Sequence, residues 1–247
     1  MWFDQTSYDL RCDWGESGVA ALAPSVDAIV IVDVLSFSTC VDVAVTGGAT
    51  VYPHRWKDES ATELARSIGG VLAGPRSRFE PSLSPVSLTR LAPGCRLVLP
   101  SPNGAVLSGM TGRTPTFAGC FRNSTAVAVA AQRCGPTIAV IAAGERWPDG
   151  TLRPSIEDWV GAGAILSHLA GTRSPEAMLA VDAFTRCRDS LAGIVRDSAS
   201  GRELIEKGFP EDIDAAVALD VSATAPMLRD GAYSGIASSQ ELDPGRG

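Results

Sequence analysis

Asp27-Ala-Ile-Val-Ile-Val-Asp-Val-Leu-Ser36 decides how this chain is read. It is a β-branched apolar run with one carboxylate, Asp33, near its end. Such a run predicts a strand over residues 27–35 that is buried on both faces of a parallel sheet. A carboxylate there is costly unless it is paired, bound to a metal or placed at the sheet's edge over a cleft. Open α/β sheets bind ligands beyond the carboxyl ends of their strands, so Asp33 sits where such folds put chemistry. Read alone, it serves equally well as a strand-end aspartate capping the next helix.

Outward from this run, strands and helices alternate. That pattern predicts an α/β fold with a mixed, mostly parallel sheet flanked by helices. Residues 38–46 read as a helix ended by Gly47-Gly48, and Ala49–Pro53 as a short strand. Asp58–Ile68 reads as a helix, with Leu64 and Ile68 at i, i+4 and Gly69-Gly70 past its end. Val71–Ala73 is a further short strand. Residues 75–94, rich in Pro, Ser and Arg, read as an extended loop, and long loops in compact domains are often functional. Arg96–Leu99 and Thr116–Gly119 read as strands, the second followed by a helix over Ser124–Arg133. Thr137–Ala143 is the second long apolar strand. Ser155-x-x-Asp158 fits a capping box opening a helix to about Leu169, and Ser174-Pro175 places a cap and an N1 proline on the next. Residues 198–220 carry two short helices broken at Gly208-Phe-Pro210. The polar tail, residues 237–247, is expected to be disordered. With no internal repeat and no linker, residues 1–247 read as one domain.

Composition narrows the function. The chain has 247 residues, 45% hydrophobic and 20% charged, the profile of a soluble globular protein. A net charge of −7 without a basic patch argues against nucleic-acid binding. Lysine occurs only as Lys57 and Lys207. The six cysteines form no CxxC pair, which removes zinc-ribbon and thioredoxin-type sites and suits a reducing compartment. The amino-terminal segment has neither a basic n-region nor an apolar h-region, and no apolar stretch reaches the roughly 20 residues of a membrane span. The expectation is a cytoplasmic protein with no membrane partner.

The residues after each predicted strand carry the chemistry. Asp33 and Ser36 follow the first, Gly74 and Arg76 the third, Ser101, Asn103 and Gly104 the fourth, Asn123 the fifth and Glu145 the sixth. In a mainly parallel sheet these groups converge on one rim. Helix N-termini favour phosphate, and carboxylates suit a hard cation such as Mg²⁺. Singly, Ser101, Asn103 and Asn123 read as helix caps; together at one rim they point to an anion site. Glu157-Asp158, in the first turn of a helix, either complements the helix dipole or reaches a cation.

Spacing removes several mechanisms. No cysteine is followed by an arginine six residues on, and Asp33-Val-Leu35 lacks the second aspartate of aspartyl-phosphate hydrolases. GxxxxGK[ST], GxGxxG and GxSxG are all absent. His54, at a strand end, and His168, on an amphipathic helix, both read as structural or solvated. A phosphate-ester hydrolase of this composition is left with metal-assisted attack by water.

The ordered motifs resemble the 2-phosphosulfolactate phosphatase family, Mg²⁺-dependent hydrolases of coenzyme M biosynthesis, from about residue 27 to about 235. Val32-Asp-Val-Leu35 is similar to that family's VIDVLRATT segment, and Leu72-Ala-Gly-Pro-Arg76 to the segment around GERG. Phe79-Glu-Pro-Ser-Leu-Ser-Pro85 resembles FDLGNSP, and Ser101-Pro-Asn-Gly-Ala105 resembles TTNGT. Asn123-Ser-Thr-Ala-Val-Ala128 resembles NATAVA. Ala143-Gly144 with Ile156-Glu-Asp158 and Ala162-Gly163 follow AG…LED…AG, and Ser200-Gly-Arg-Glu-Leu204, Gly208 and Asp212 follow SGRELI…G…D. The chain departs at Ser36, where the family has arginine, at Pro75 for the glutamate of GERG, and at Ser82 and Leu83 for the glycine and asparagine of GNSP.

The resemblance implies a Mg²⁺-dependent phosphomonoester hydrolase acting on 2-phosphosulfolactate or a similar phosphorylated hydroxy acid, and a homodimer. The residues assigned to catalysis are Asp33, Asn123 and Glu157; to the metal, Asp33, Glu157 and Asp158; to substrate, Ser36, Arg76, Ser84, Ser101, Asn103 and Gly104. The departures motivate an alternative from another class, a diverged non-catalytic member that binds a small anion.

Overall fold

The computed structural model describes residues 2–235; the tail expected to be disordered lies outside them. Among the described residues the strands are β1 (Leu10–Trp14), β2 (Ala28–Val32), β3 (Thr50–His54), β4 (Val71–Leu72), β5 (Arg96–Pro100), β6 (Thr116–Gly119), β7 (Ile138–Ala142), β8 (Glu145–Arg146), β9 (Leu152–Arg153), β10 (Pro226–Arg229) and β11 (Ala232–Gly235). The α-helices are α1 (Gly15–Leu22), α2 (Phe37–Thr46), α3 (Glu59–Ser67), α4 (Pro85–Leu88), α5 (Gly104–Ser108), α6 (Ser124–Gln132), α7 (Ile156–Ser167), α8 (Pro175–Cys187), α9 (Leu191–Asp197), α10 (Ala199–Glu206) and α11 (Pro210–Ala216).

All five residues of β2 are buried, because it lies between β7 and β6 and pairs in parallel with both. Its isoleucine and valine side chains each contribute on the order of 1.5–3 kcal/mol through burial. The main sheet has the order β1-β7-β2-β6-β10-β11-β3-β5-β4, mixed and mostly parallel as expected. β1-β7-β2-β6 form one parallel set and β3-β5-β4 another. Antiparallel pairings of β10 with β6, of β10 with β11 and of β11 with β3 join them, so the two sets run in opposite senses along the sheet.

Helix α2 explains how the strand ends still meet. Nine of its ten residues are buried, from Phe37 to Val45. It packs against β3, β6, β10 and β11, so the sheet curls about it. Val41, Val43 and Val45 are weak helix formers in isolation; burial on every side is what holds this helix. The curl brings the end of β2 against the end of β5, where Gly104 donates its N–H to the Asp33 carboxylate at 2.9 Å.

Several elements go beyond the sequence reading. The edge strand β1, helix α1, the short β8–β9 pair and helix α9 were not anticipated. Neither was the β10–β11 hairpin, although its signal is present: Asp230 and Gly231, with φ of 50° and 79°, form the two-residue turn favoured in hairpins. The 75–94 loop contains α4, started by Pro85. Ser155 makes no capping box: its hydroxyl is buried without a partner, because Asp158 is drawn to two backbone amides at the strand ends instead. The Ser174 cap holds, accepting from the Ala177 N–H at 3.1 Å, and α10 and α11 break at Gly208 as predicted.

Candidate active site

The turn after β2 is stapled by its own side chains. Ser38 Oγ accepts the Asp33 N–H at 3.1 Å and donates to the Ile31 carbonyl at 2.9 Å. Thr39 donates to the Val34 carbonyl at 2.7 Å. Asp33 Oδ1 accepts from the Phe37 N–H at 3.0 Å while Oδ2 accepts from Gly104. Both readings of Asp33 therefore hold: it caps α2 and also lines a cavity. Position 104 requires glycine, since a Cβ would lie 2.3 Å from the Phe37 ring and 2.9 Å from the Asp33 carboxylate.

Three more carboxylates crowd this point. Asp158 Oδ1 accepts from Val34 N–H at 2.7 Å and Oδ2 from Gly144 N–H at 2.8 Å, tying the ends of β2 and β7 together. Glu157, next to it on α7, is 2% exposed. Glu145 accepts from Asn103 Nδ2 at 2.8 Å. Burial raises the Asp33 carboxyl above its ordinary range; the amides of Phe37 and Gly104 oppose this, and the Glu157 charge adds to it. Asp158 is held well above its usual value by burial and then by Glu157 and Asp33. Burial, with Asp33 next, pushes Glu145 up to about 7.

The basic side of the site comes from the loop and from the carboxy-terminal helices. Arg76 pairs with Asp212, whose side chain is wholly buried, and donates to Ser36 Oγ at 3.2 Å. Ser84 donates to the other Asp212 oxygen at 2.5 Å. Arg78 pairs with Glu211 and donates to the Gly208 carbonyl. Both arginines lie over the Phe209 ring, at 5.7 and 5.1 Å. Between these parts is a cavity of about 130 Å³, lined by Asp33, Ser36, Arg76, Ser101, Asn103 and Glu145, with α10 contributing Ser200, Glu203, Leu204 and Lys207. It is smaller than the roughly 300–1,000 Å³ of drug-sized sites. Ser36 Oγ accepts from Arg76 and Ser101 Oγ from the Asn103 N–H, which leaves both hydroxyl protons to donate.

Of the predicted residues, Asp33, Ser36, Arg76, Ser101 and Asn103 line this cavity. The others serve it from behind or stand apart. Gly104 spends its N–H on Asp33, so that amide orients the carboxylate rather than awaiting phosphate. Ser84 acts through Asp212. Asn123 is fully buried; its Oδ1 accepts the Cys120 N–H at 2.9 Å and its Nδ2 donates to the Ala118 carbonyl at 3.3 Å, so its amide organises the end of β6. Asp158 is committed to two amides, and Glu157 acts on the site through its charge. The assignment missed Glu145 and Asp212, although both stood in recognised positions, after a strand and within the last motif. His54 and His168 make local contacts, with the Trp56 carbonyl and with Thr125, as expected of structural histidines.

Among the described residues, no group of three or more His, Cys, Asp or Glu is arranged to hold a metal ion. The donor chemistry fits Mg²⁺ in a different manner. This ion is usually bound by one or two carboxylates plus substrate phosphate, keeping several waters. A single cavity-lining carboxylate, Asp33, suits that mode. A larger groove of about 590 Å³ lies between α6 and residues 220–225. There the Asp220 carboxylate is already taken up by Ser124 and Thr125, and none of the converging carboxylates reaches it. Asp33, Ser36 and Arg76 line the smaller cavity and not this groove.

Fold and cavity define an α/β protein with a small cavity of carboxylates, hydroxyls and an arginine where its strand ends meet. The family model of 2-phosphosulpholactate phosphatase matches residues 20–231. This chain belongs to that family, one of phosphoric monoester hydrolases. It is 28% identical over 207 residues to 2-phosphosulfolactate phosphatase of Methanothermobacter thermautotrophicus, covering 82% of this chain and 87% of the relative. It is 29% identical over 210 residues to a probable 2-phosphosulfolactate phosphatase of Carboxydothermus hydrogenoformans, with 81% and 85% covered. A probable enzyme of the same name from Thermotoga maritima is 26% identical over 212 residues, with 83% and 90% covered. No helix among the described residues is long and apolar enough to cross a membrane.

Proposed function

We propose that this protein hydrolyses the phosphate ester of a small 2-hydroxy acid, with 2-phosphosulfolactate the first candidate and Mg²⁺ the cofactor. The observation that carries this reading is the 130 Å³ cavity, in which Asp33 shares a wall with Arg76 and the free hydroxyl protons of Ser36 and Ser101. Arg76 is aimed by Asp212 before any ligand arrives, and its planar guanidinium matches phosphate oxygens. Ser36 and Ser101 donate to the same anion. Ser36 thus fills the place where the resemblance has arginine, and Arg76 leans on it. Glu145 exchanges its proton near neutral pH, which suits a group that moves a proton between the attacking water and the leaving oxygen. Asp33 would hold Mg²⁺, with Asp158 fixing the strand ends behind it through the Val34 and Gly144 amides. Bound there, the ion would neutralise ester oxygens and acidify the attacking water.

The test is phosphate release from racemic 2-phosphosulfolactate and a panel of phosphorylated hydroxy acids, in Mg²⁺ and in EDTA. EDTA-sensitive turnover of phosphosulfolactate is the expected result. Turnover of another panel member alone keeps the chemistry and moves the substrate. No turnover by folded protein would favour the diverged anion-binding role.

A further inference from the structure

The charges around the cavity are of two kinds. Arg76 is a fixed cation, held by a fully buried Asp212 and by Ser36. Lys207 is not fixed in this way. It lines the cavity from the carboxy-terminal end of α10, and its ammonium pairs with Glu203 one turn back. Both side chains of that pair are more than half exposed, at 60% and 53%, so water screens it and it breaks at little cost. The base of the lysine is nonetheless anchored. Its N–H donates to the Glu203 carbonyl at 3.0 Å, and the next two residues, Gly208 and Phe209, are gripped by Arg78 and overlain by both arginines. A rigid base with an exchangeable ammonium is the arrangement of a cation that changes partners.

The composition sharpens this. The chain uses arginine almost throughout, and Lys207 is one of only two lysines. Arginine suits a fixed planar fork, whereas lysine is a compact charge on a flexible stem. The cavity wall also holds Asp33, Glu145 and Glu203, so an acidic ligand needs cationic help beyond Arg76. Phosphate has its donors in Arg76, Ser36 and Ser101. We propose that Lys207 leaves Glu203 to bind the second acid group of the substrate, its carboxylate or sulfonate, and so sets specificity for phosphorylated acids over neutral phosphate esters. This rests on the hydrolase reading above for its choice of substrate.

The experiment compares wild type, Lys207→Met, Lys207→Arg and Glu203→Gln. Their KM and kcat are measured on 2-phosphosulfolactate and on glycerol 2-phosphate, which has the phosphate but no second acid. Lys207→Met should raise KM for the acid-bearing ester about tenfold with a much smaller change in kcat, the mark of lost uniform binding. The KM for glycerol 2-phosphate should scarcely move, Lys207→Arg should recover most of the loss, and Glu203→Gln should lower KM for the acid-bearing ester. An equal rise for both esters, or none, overturns the proposal. Calorimetric titration with 3-sulfolactate, which carries both acid groups and no phosphate, tests it without turnover. Binding by wild type that weakens in Lys207→Met and returns in Lys207→Arg supports it. Equal binding by all three, or none by wild type, overturns it. Wild type that binds 3-sulfolactate yet hydrolyses nothing would sink the hydrolase reading alone.

Discussion

The two sides of the cavity are built by different means. On the strand side, Asp33 and Asp158 receive four backbone N–H groups, from Phe37, Gly104, Val34 and Gly144, with both carboxylates at most 5% exposed. On the helix side, α11 is held by Arg76–Asp212 and Arg78–Glu211, and the turn before it by Arg78 on the Gly208 carbonyl, with arginine side chains 20% and 46% exposed. The strand side is dry and backbone-bonded, so its geometry is nearly invariant. The helix side rests on long side chains that water reaches in part. A site assembled this way keeps its reacting centre rigid and leaves recognition adjustable.

Breaking the strand side should cost most. Asp33→Asn keeps the cap on α2 but removes the charge, and turnover should fall roughly 10²–10³-fold. If steady-state rates and Mg²⁺ affinity both stay at the wild-type level, Asp33 is a cap and nothing more. Asp158→Ala strands the buried amides of Val34 and Gly144, each worth roughly 1–3 kcal/mol when unpaired, and urea unfolding should show a loss of that order per amide. A loss below 1 kcal/mol would mean that water or a neighbouring group replaces the carboxylate.

Glu145 tests the strand side by pH. The folded carboxyl keeps its proton up to about 7, against an ordinary value of 4.5, so the folded state binds more protons between those values. Stability therefore falls as pH rises through that window and is flat above it. In EDTA, Glu145→Gln should unfold roughly 2–3 kcal/mol harder than wild type at pH 8 and equally at pH 4. A constant difference at both pH values would contradict this. Gly104→Ala should destabilise by about 1–3 kcal/mol, because its methyl meets the Phe37 ring, a buried and close-packed group. The helix side gives the smallest effect. Arg78→Ala should shift the melting temperature only slightly, and added salt should produce the same slight shift in wild type, since partly exposed pairs are screened. A large shift would make the two sides equivalent.

Some of the site was legible before the fold. Asp33, Ser36, Arg76, Ser101 and Asn103 follow strands, and position after a strand is enough to place a residue at a sheet end. Glu145 had the same mark, but alone it resembles any polar loop residue; its proximity to Asp33 and Glu157 comes only from folding. Asn123 and Asp158 stand in matched motifs yet serve the backbone, because motif spacing does not say which way an amide or carboxylate points. Asp212 lies 136 residues from Arg76, and no local pattern predicts that pair.

By itself the sequence determined the alternation of elements, the buried central strand and the family. Those follow from local apolar runs, caps and breakers, which act within a few residues. Only the tertiary structure decided that the two parallel strand sets run in opposite senses, that the sheet curls about α2, and that α10 brings Lys207 to a cavity floored by Asp33. These depend on a hairpin formed near the end of the described chain and on pairings between residues far apart, where packing and burial choose the partner and local propensity has no influence.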